Sequence, residues 1–139
     1  MITTYKNQTP PPPKTPEEVS KIIRALLLDM GAATHMKGFF YLIRAIEIVY
    51  EDPDSIYNVV KGLYSRIAEE FETTPSCVER DIRTELRFIL RAGKLFMLDE
   101  HFSHFGCRSK SVSSRKFIAL FSEKLRNDMI QPGEAYRAI

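Results

Sequence analysis

Residues 64–86 read "YSRIAEEFETTPSCVERDIRTEL", and the fold turns on how this stretch divides. Ile67, Ala68 and Phe71 share one face of a first short helix, with small Ala68 where a second helix would cross it. A polar turn follows, and Val78 and Ile82 supply a second helix that packs back onto the first. That order and spacing predicts a helix-turn-helix over about residues 64–92. The glycine usual in such a turn is missing, and Glu72 stands near its place.

The second helix has two possible starts. Either Thr74 caps with Pro75 in the first helical position, or Ser76 caps with Glu79 completing a capping box. Its end is predicted at Arg91 or Ala92, with Gly93 just beyond. At about 100° per residue, Val78, Ile82, Leu86 and Ile89 fall within an arc of about 80°. Arg80, Arg83 and Arg87 gather on the opposite side, beside Ser76.

Such a charged face on its own is more often a solvated surface with pairs such as Glu79–Arg83. In a helix-turn-helix, however, the exposed face of the second helix enters the DNA major groove. Arg80 and Arg83 then reach base edges, where arginine pairs with guanine O6 and N7. Arg87 and Arg91, further along, suit phosphates. Asp81 and Glu85 add negative charge to the same helix, and Glu85 lies close to the apolar stripe.

Working outward, Thr15, Pro16 and Glu18 form a helix start, and Val19, Ile22, Ile23, Leu26, Leu27 and Met30 form one stripe that Gly31 ends. A second, largely apolar helix is predicted from about Lys37 to Tyr50, in a central position. A third is predicted with Asp52 as cap, Pro53 in its first turn and Ile56, Val59, Val60 and Leu63 inward. Gly62 suggests a bend before the short helix of "RIAEEF". Lys94 to Ser113 reads as a loop, with room for a short helix around Leu98 to Phe105. Ser113 or Ser114 caps a last helix that buries Phe117, Ile118, Leu120, Phe121 and Leu125. No stretch alternates as a strand, so the expected fold is all-α, a compact bundle of about six helices. The expected organisation is a proline-rich leader over residues 1–14, one domain over 15–128 and a tail over 129–139.

Composition bounds the function. A chain of 139 residues, 44% of them hydrophobic, suffices for one compact domain. The formal charge of +2 is too mild to prove an acidic partner, so the placement of charge must carry that inference. Cys77 and Cys107 make no disulfide framework, and neither a secretory leader nor a membrane span is read, which points to the cytoplasm. Asp99, His101, His104 and Cys107 are zinc-capable residues, but their spacing matches no zinc motif and the phenylalanines between them read as core. Cys77, near a helix start, is a candidate redox-sensitive thiol, and His35 a candidate cap for the second helix, with Lys37 near a phosphate. No nucleophile–base set and no phosphate-cradling loop is present, so neither an enzyme nor a cofactor is expected.

Four ordered blocks carry a resemblance: "GAATHMKGFFYL" (31–42), "VYED" (49–52), "LYSRIAEEFETTPSCVERDIR" (63–83) and "KFIALFSEKLR" (116–126). The chain resembles the C-terminal DNA-binding domains of the stage 0 sporulation protein A family, from about Val19 to Arg126. The resemblance implies a six-helix transcription factor domain of a sporulation response regulator. It implies a recognition helix that reads a short box in double-stranded DNA, often as tandem copies, and contact with RNA polymerase at some promoters. By position, Glu79, Arg80 and Arg83 match the family's reading residues, and Thr74 and Ser76 its phosphate-facing helix start. Cys77 stands where members usually carry arginine, and Thr84 where they carry histidine or a similar residue. Asp81 and Glu85 replace small residues, and Ser111 to Ser114 replace a Lys-Pro-x-Asn stretch. Thr74, Ser76, Cys77, Glu79, Arg80, Arg83, Thr84 and Arg87 make up the expected DNA-binding set, with altered specificity. The family joins this domain to a phosphoacceptor receiver, for which 139 residues leave no room. The rival expectation is a relative that does not read DNA and antagonises a full-length family member or the polymerase.

Overall fold

The computed structural model describes residues 15–94 and 112–130, with only the backbone for 128–130. The expected leader, the short helix around residues 98–105, most of the tail and the zinc-capable stretch all lie outside these residues. Within them the fold is all-α, with five α-helices and two tighter or wider helical turns, and no strand.

Helix α1 spans Pro16–Asp29 and begins as its sequence predicts. The Thr15 hydroxyl accepts from the Glu18 amide at 3.2 Å, and the Glu18 carboxylate accepts from the Thr15 amide at 2.9 Å. Val19, Ile23, Leu27 and Met30 are buried, while Ile22 and Leu26 sit at the margin of the core. Gly31 closes the helix with φ +97°, and a side chain there would come within 2.4 Å of the Ala92 Cβ.

Helix α2 spans Lys37–Glu51 and is the central element, buried on most of its surface from Gly38 to Val49. Each fully buried Leu or Ile contributes roughly 1.5–3 kcal/mol, which is why this helix organises the rest. It packs chiefly against the fourth and last helices. His35 is exposed and does not cap it; Met36 holds the cap position without a side-chain bond.

The expected third helix is a different object. Pro53–Tyr57 forms a 3-10 turn, and Val59–Tyr64 forms a π turn in which the Leu63 amide donates to the Asn58 carbonyl at 3.0 Å. Asp52 does not cap with its side chain, and Asn58, at φ −138° and ψ 65°, breaks any continuous helix. The wider turn rotates the side chains, so Leu63 is buried while Val60, expected inward, is 55% exposed. Helix α3, Ser65–Glu70, continues directly from it.

Helix α4 spans Pro75–Ala92 and helix α5 spans Ser114–Ile130. Of the two candidate caps for α5, Ser113 is the one used; its hydroxyl accepts from the Lys116 amide at 3.3 Å. Phe117, Ile118, Phe121 and Leu125 enter the core, Leu120 only in part. Arg126 ties α5 to the end of α2 by donating to the Val49 carbonyl at 3.3 Å. Among the described residues no helix is long and apolar enough to cross a membrane.

Candidate nucleic-acid interface

Helices α3 and α4 form the expected two-helix unit. Ile67 and Ala68 are buried, and Val78, Ile82, Leu86 and Ile89 line the inner face of α4. Phe71 departs from expectation: it is 42% exposed, with its ring edge-on to Tyr41 at 5.1 Å. The turn reverses through Glu72, whose φ of 56° is left-handed. This is the place where a glycine was missed, and the chain adopts the glycine conformation without the residue that makes it inexpensive. The Thr73 amide then donates to the Ala68 carbonyl at 2.9 Å.

Arg44 on α2 holds α3 from below. Its guanidinium donates twice to the Glu70 carboxylate, at 2.7 and 3.1 Å, and once to Glu47 at 3.2 Å. The bond from Arg44 keeps the Glu70 carboxyl below the ordinary carboxylate range. The first helix is thus fixed by a forked pair as well as by its short apolar face.

Thr74, not Ser76, caps α4: its hydroxyl accepts from the Cys77 amide at 3.2 Å, with Pro75 in the first turn. The helix ends at Ala92, and Gly93 follows in the left-handed region, as predicted. A close crossing sets the tilt of α4. A Cβ on Gly38 would lie 2.1 Å from the Asp81 carbonyl oxygen, so α2 approaches the backbone of α4 directly.

Ser76, Glu79, Arg80, Arg83 and Arg87 all face outward and are exposed. Arg80 and Arg83 are not bare cations. The Arg80 Nε lies 3.3 Å from Asp81, and a terminal nitrogen of Arg83 lies 3.7 Å from Glu79. Arg87 has no ion pair among the described residues. The Thr84 side chain is half-buried, and its hydroxyl donates back to the Arg80 carbonyl at 3.0 Å, so it is turned along the helix instead of outward. Cys77 is half-buried on the first turn, and bonds from Thr74 and Thr73 lower its thiol pKa, with Arg80 adding to the effect.

One expectation is corrected. Glu85 was read as adding negative charge to the helix, close to its apolar stripe; its side chain is in fact fully buried. It points between α4 and the α1–α2 loop, where one oxygen accepts from the Ala33 amide at 2.6 Å and the other has no partner. Burial pushes its carboxyl up to about 7. The stripe position gave the signal: a residue one turn from Ile82 and beside Leu86 must face inward.

The family described as "Sporulation initiation factor Spo0A C terminal" matches residues 23–125. The chain belongs to this family. It is a family of DNA-binding effector domains of sporulation regulators, not of enzymes, and the all-α fold fits it. The matched range takes in α4 and most of α5, so the outward arginines of α4 lie on the family's DNA-binding domain.

Proposed function

We propose that this domain is a sequence-specific transcription regulator that reads the DNA major groove with Arg80 and Arg83 of α4. The observation that carries the reading is the exposure of both arginines in the N-terminal half of α4, on the face opposite its buried stripe. Arg87, a turn further along, takes a phosphate, as do the exposed helix start at Thr74 and Ser76. Glu79 screens or selects at the base edge, accepting from cytosine N4 where it reaches one.

Specificity differs from the family's usual box. Cys77 and Thr84 give no cationic donor where members usually carry one, and Asp81 draws on Arg80. Good base contacts carry about 1–3 kcal/mol each, so these exchanges change which bases are preferred. The reading places the protein in the cytoplasm, as tandem copies on DNA, and touching RNA polymerase at some promoters.

Selection from a random duplex pool tests this. The native chain enriches one box, and a control carrying Arg80→Ala and Arg83→Ala does not. Enrichment of nothing by either protein defeats the reading. The pairing of both arginines with carboxylates on their own helix gives a second reading some support: a domain that binds a full-length family member or the polymerase and leaves DNA alone. Tight binding to such a protein without DNA, together with failed selection, establishes that alternative.

A further inference from the structure

We propose that Arg115, in the first turn of α5, contacts a DNA phosphate and extends the interface across the groove between α4 and α5. The inference rests on the DNA-binding reading above and adds a residue and a second surface to it.

The groove has a volume of about 530 Å³. One wall is α4, through Glu79 and Arg83; another is the π turn, through Val60 and Tyr64; the third is the start of α5, through Ser113 and Arg115. Glu79 and Arg83 therefore belong both to this groove and to the reading face, so a duplex seated on α4 has a backbone strand beside the opening. The Val60 side chain, 55% exposed, offers an apolar surface suited to sugar carbons. Tyr64, by contrast, is buried, so it shapes the floor and is no contact.

Arg115 is held in a way that the other arginines of the interface are not. Its Nε donates to the Ile56 carbonyl at 3.0 Å, and its guanidinium carbon lies 6.0 Å from the centre of the Tyr57 ring. The side chain is exposed, and no carboxylate pairs with it among the described residues. Arg80 and Arg83 must give up or share Asp81 and Glu79 to meet an anion. Arg115 has its stem and Nε already fixed and, among the described residues, its terminal nitrogens unclaimed. Binding to such an arginine sacrifices little side-chain freedom, and its planar fork matches phosphate geometry. Charge complementarity and continuity with α4 favour a phosphate strand over an acidic peptide.

The test uses the full chain, the selected duplex and a random-sequence duplex over a range of sodium chloride. Arg115→Ala should weaken both duplexes by a similar factor, roughly tenfold. The slope of log affinity against log salt should become shallower by about 0.9, the value for one phosphate. The order of preferred boxes should not change, and Arg115→Lys should recover part of the affinity. On the native chain, the Arg115 Nε resonance should shift when duplex is added, a readout that survives if the alanine variant folds poorly. An unchanged slope in Arg115→Ala, or an unmoved resonance while the native chain binds, overturns the proposal and leaves the reading by α4 standing. Failure of the native chain to bind either duplex overturns both. Binding of a poly-glutamate peptide that depends on Arg115, with duplex binding that does not, assigns the groove to a protein partner and overturns the proposal.

Discussion

The Glu85 carboxylate accepts a hydrogen bond from the Ala33 amide at 2.6 Å while its second oxygen is buried and unpartnered. Through it, α4 is fastened to the loop that joins α1 to α2. The fastening is made with a group that resists ionisation, because burial raises its pKa from 4.5 to about 7.

Stability should therefore depend on pH. Below about pH 4.5 Glu85 is protonated whether the chain is folded or not, and its burial carries no ionic penalty. Between 4.5 and 7 the unfolded chain releases this proton while the folded one keeps it, so stability falls as pH rises. Above that window the full penalty applies, at most about 3 kcal/mol. Glu85→Gln should flatten this part of the profile, as read by urea unfolding at pH 5, 6, 7 and 8. An equal slope in both proteins refutes it.

Asp81→Ala should strengthen duplex binding several-fold. It removes a negative charge from the helix and releases the Arg80 Nε, 3.3 Å away, for DNA. The salt dependence should remain at least as steep. Weaker binding would mean that Asp81 orients Arg80 for its contact instead of competing for it.

Gly38→Ala should destabilise the domain by about 2–3 kcal/mol. Its new methyl group would meet the Asp81 carbonyl and force α2 and α4 apart. Duplex affinity should fall with it, since the tilt of α4 is set at this crossing. Thermal unfolding and binding measured on one sample separate the two effects, and an unchanged melting temperature contradicts the close approach.

Glu72→Gly should stabilise by about 1 kcal/mol, since it relieves a left-handed conformation in a residue with a side chain. Equilibrium unfolding checks this. A loss of stability would show that the Glu72 side chain contributes more than its backbone strain costs.

What the sequence revealed divides along physical lines. The start of α1 and the end of α4 were legible because caps and stops are local, Thr15 with Glu18 and Gly93 beyond Ala92, while the start of α4 was narrowed only to Thr74 or Ser76. The outward display of Arg80, Arg83 and Arg87 was legible because helical periodicity alone determines it. The segment from Pro53 to Tyr64 was not, since a π turn and an α-helix share the same apolar residues and differ by one hydrogen-bond register. The nearness of Glu85 to the apolar stripe was legible, but its full burial was not, because only the Ala33 amide, 52 positions away, provides for it inside. Arg115 escaped notice for a similar reason, being held by Ile56 from 59 positions away.

The π turn has a consequence for changes in chain length. A six-residue loop of helix that bonds five residues back accommodates one residue more than an α-helical turn would. Deleting one residue within 59–62 would close this turn to α-helical spacing and shift the side-chain register just before α3 by about 100°. Such a one-residue change would act as a rotary adjustment of the turn, re-aiming Val60 while leaving the packing of α3 against α4 in place.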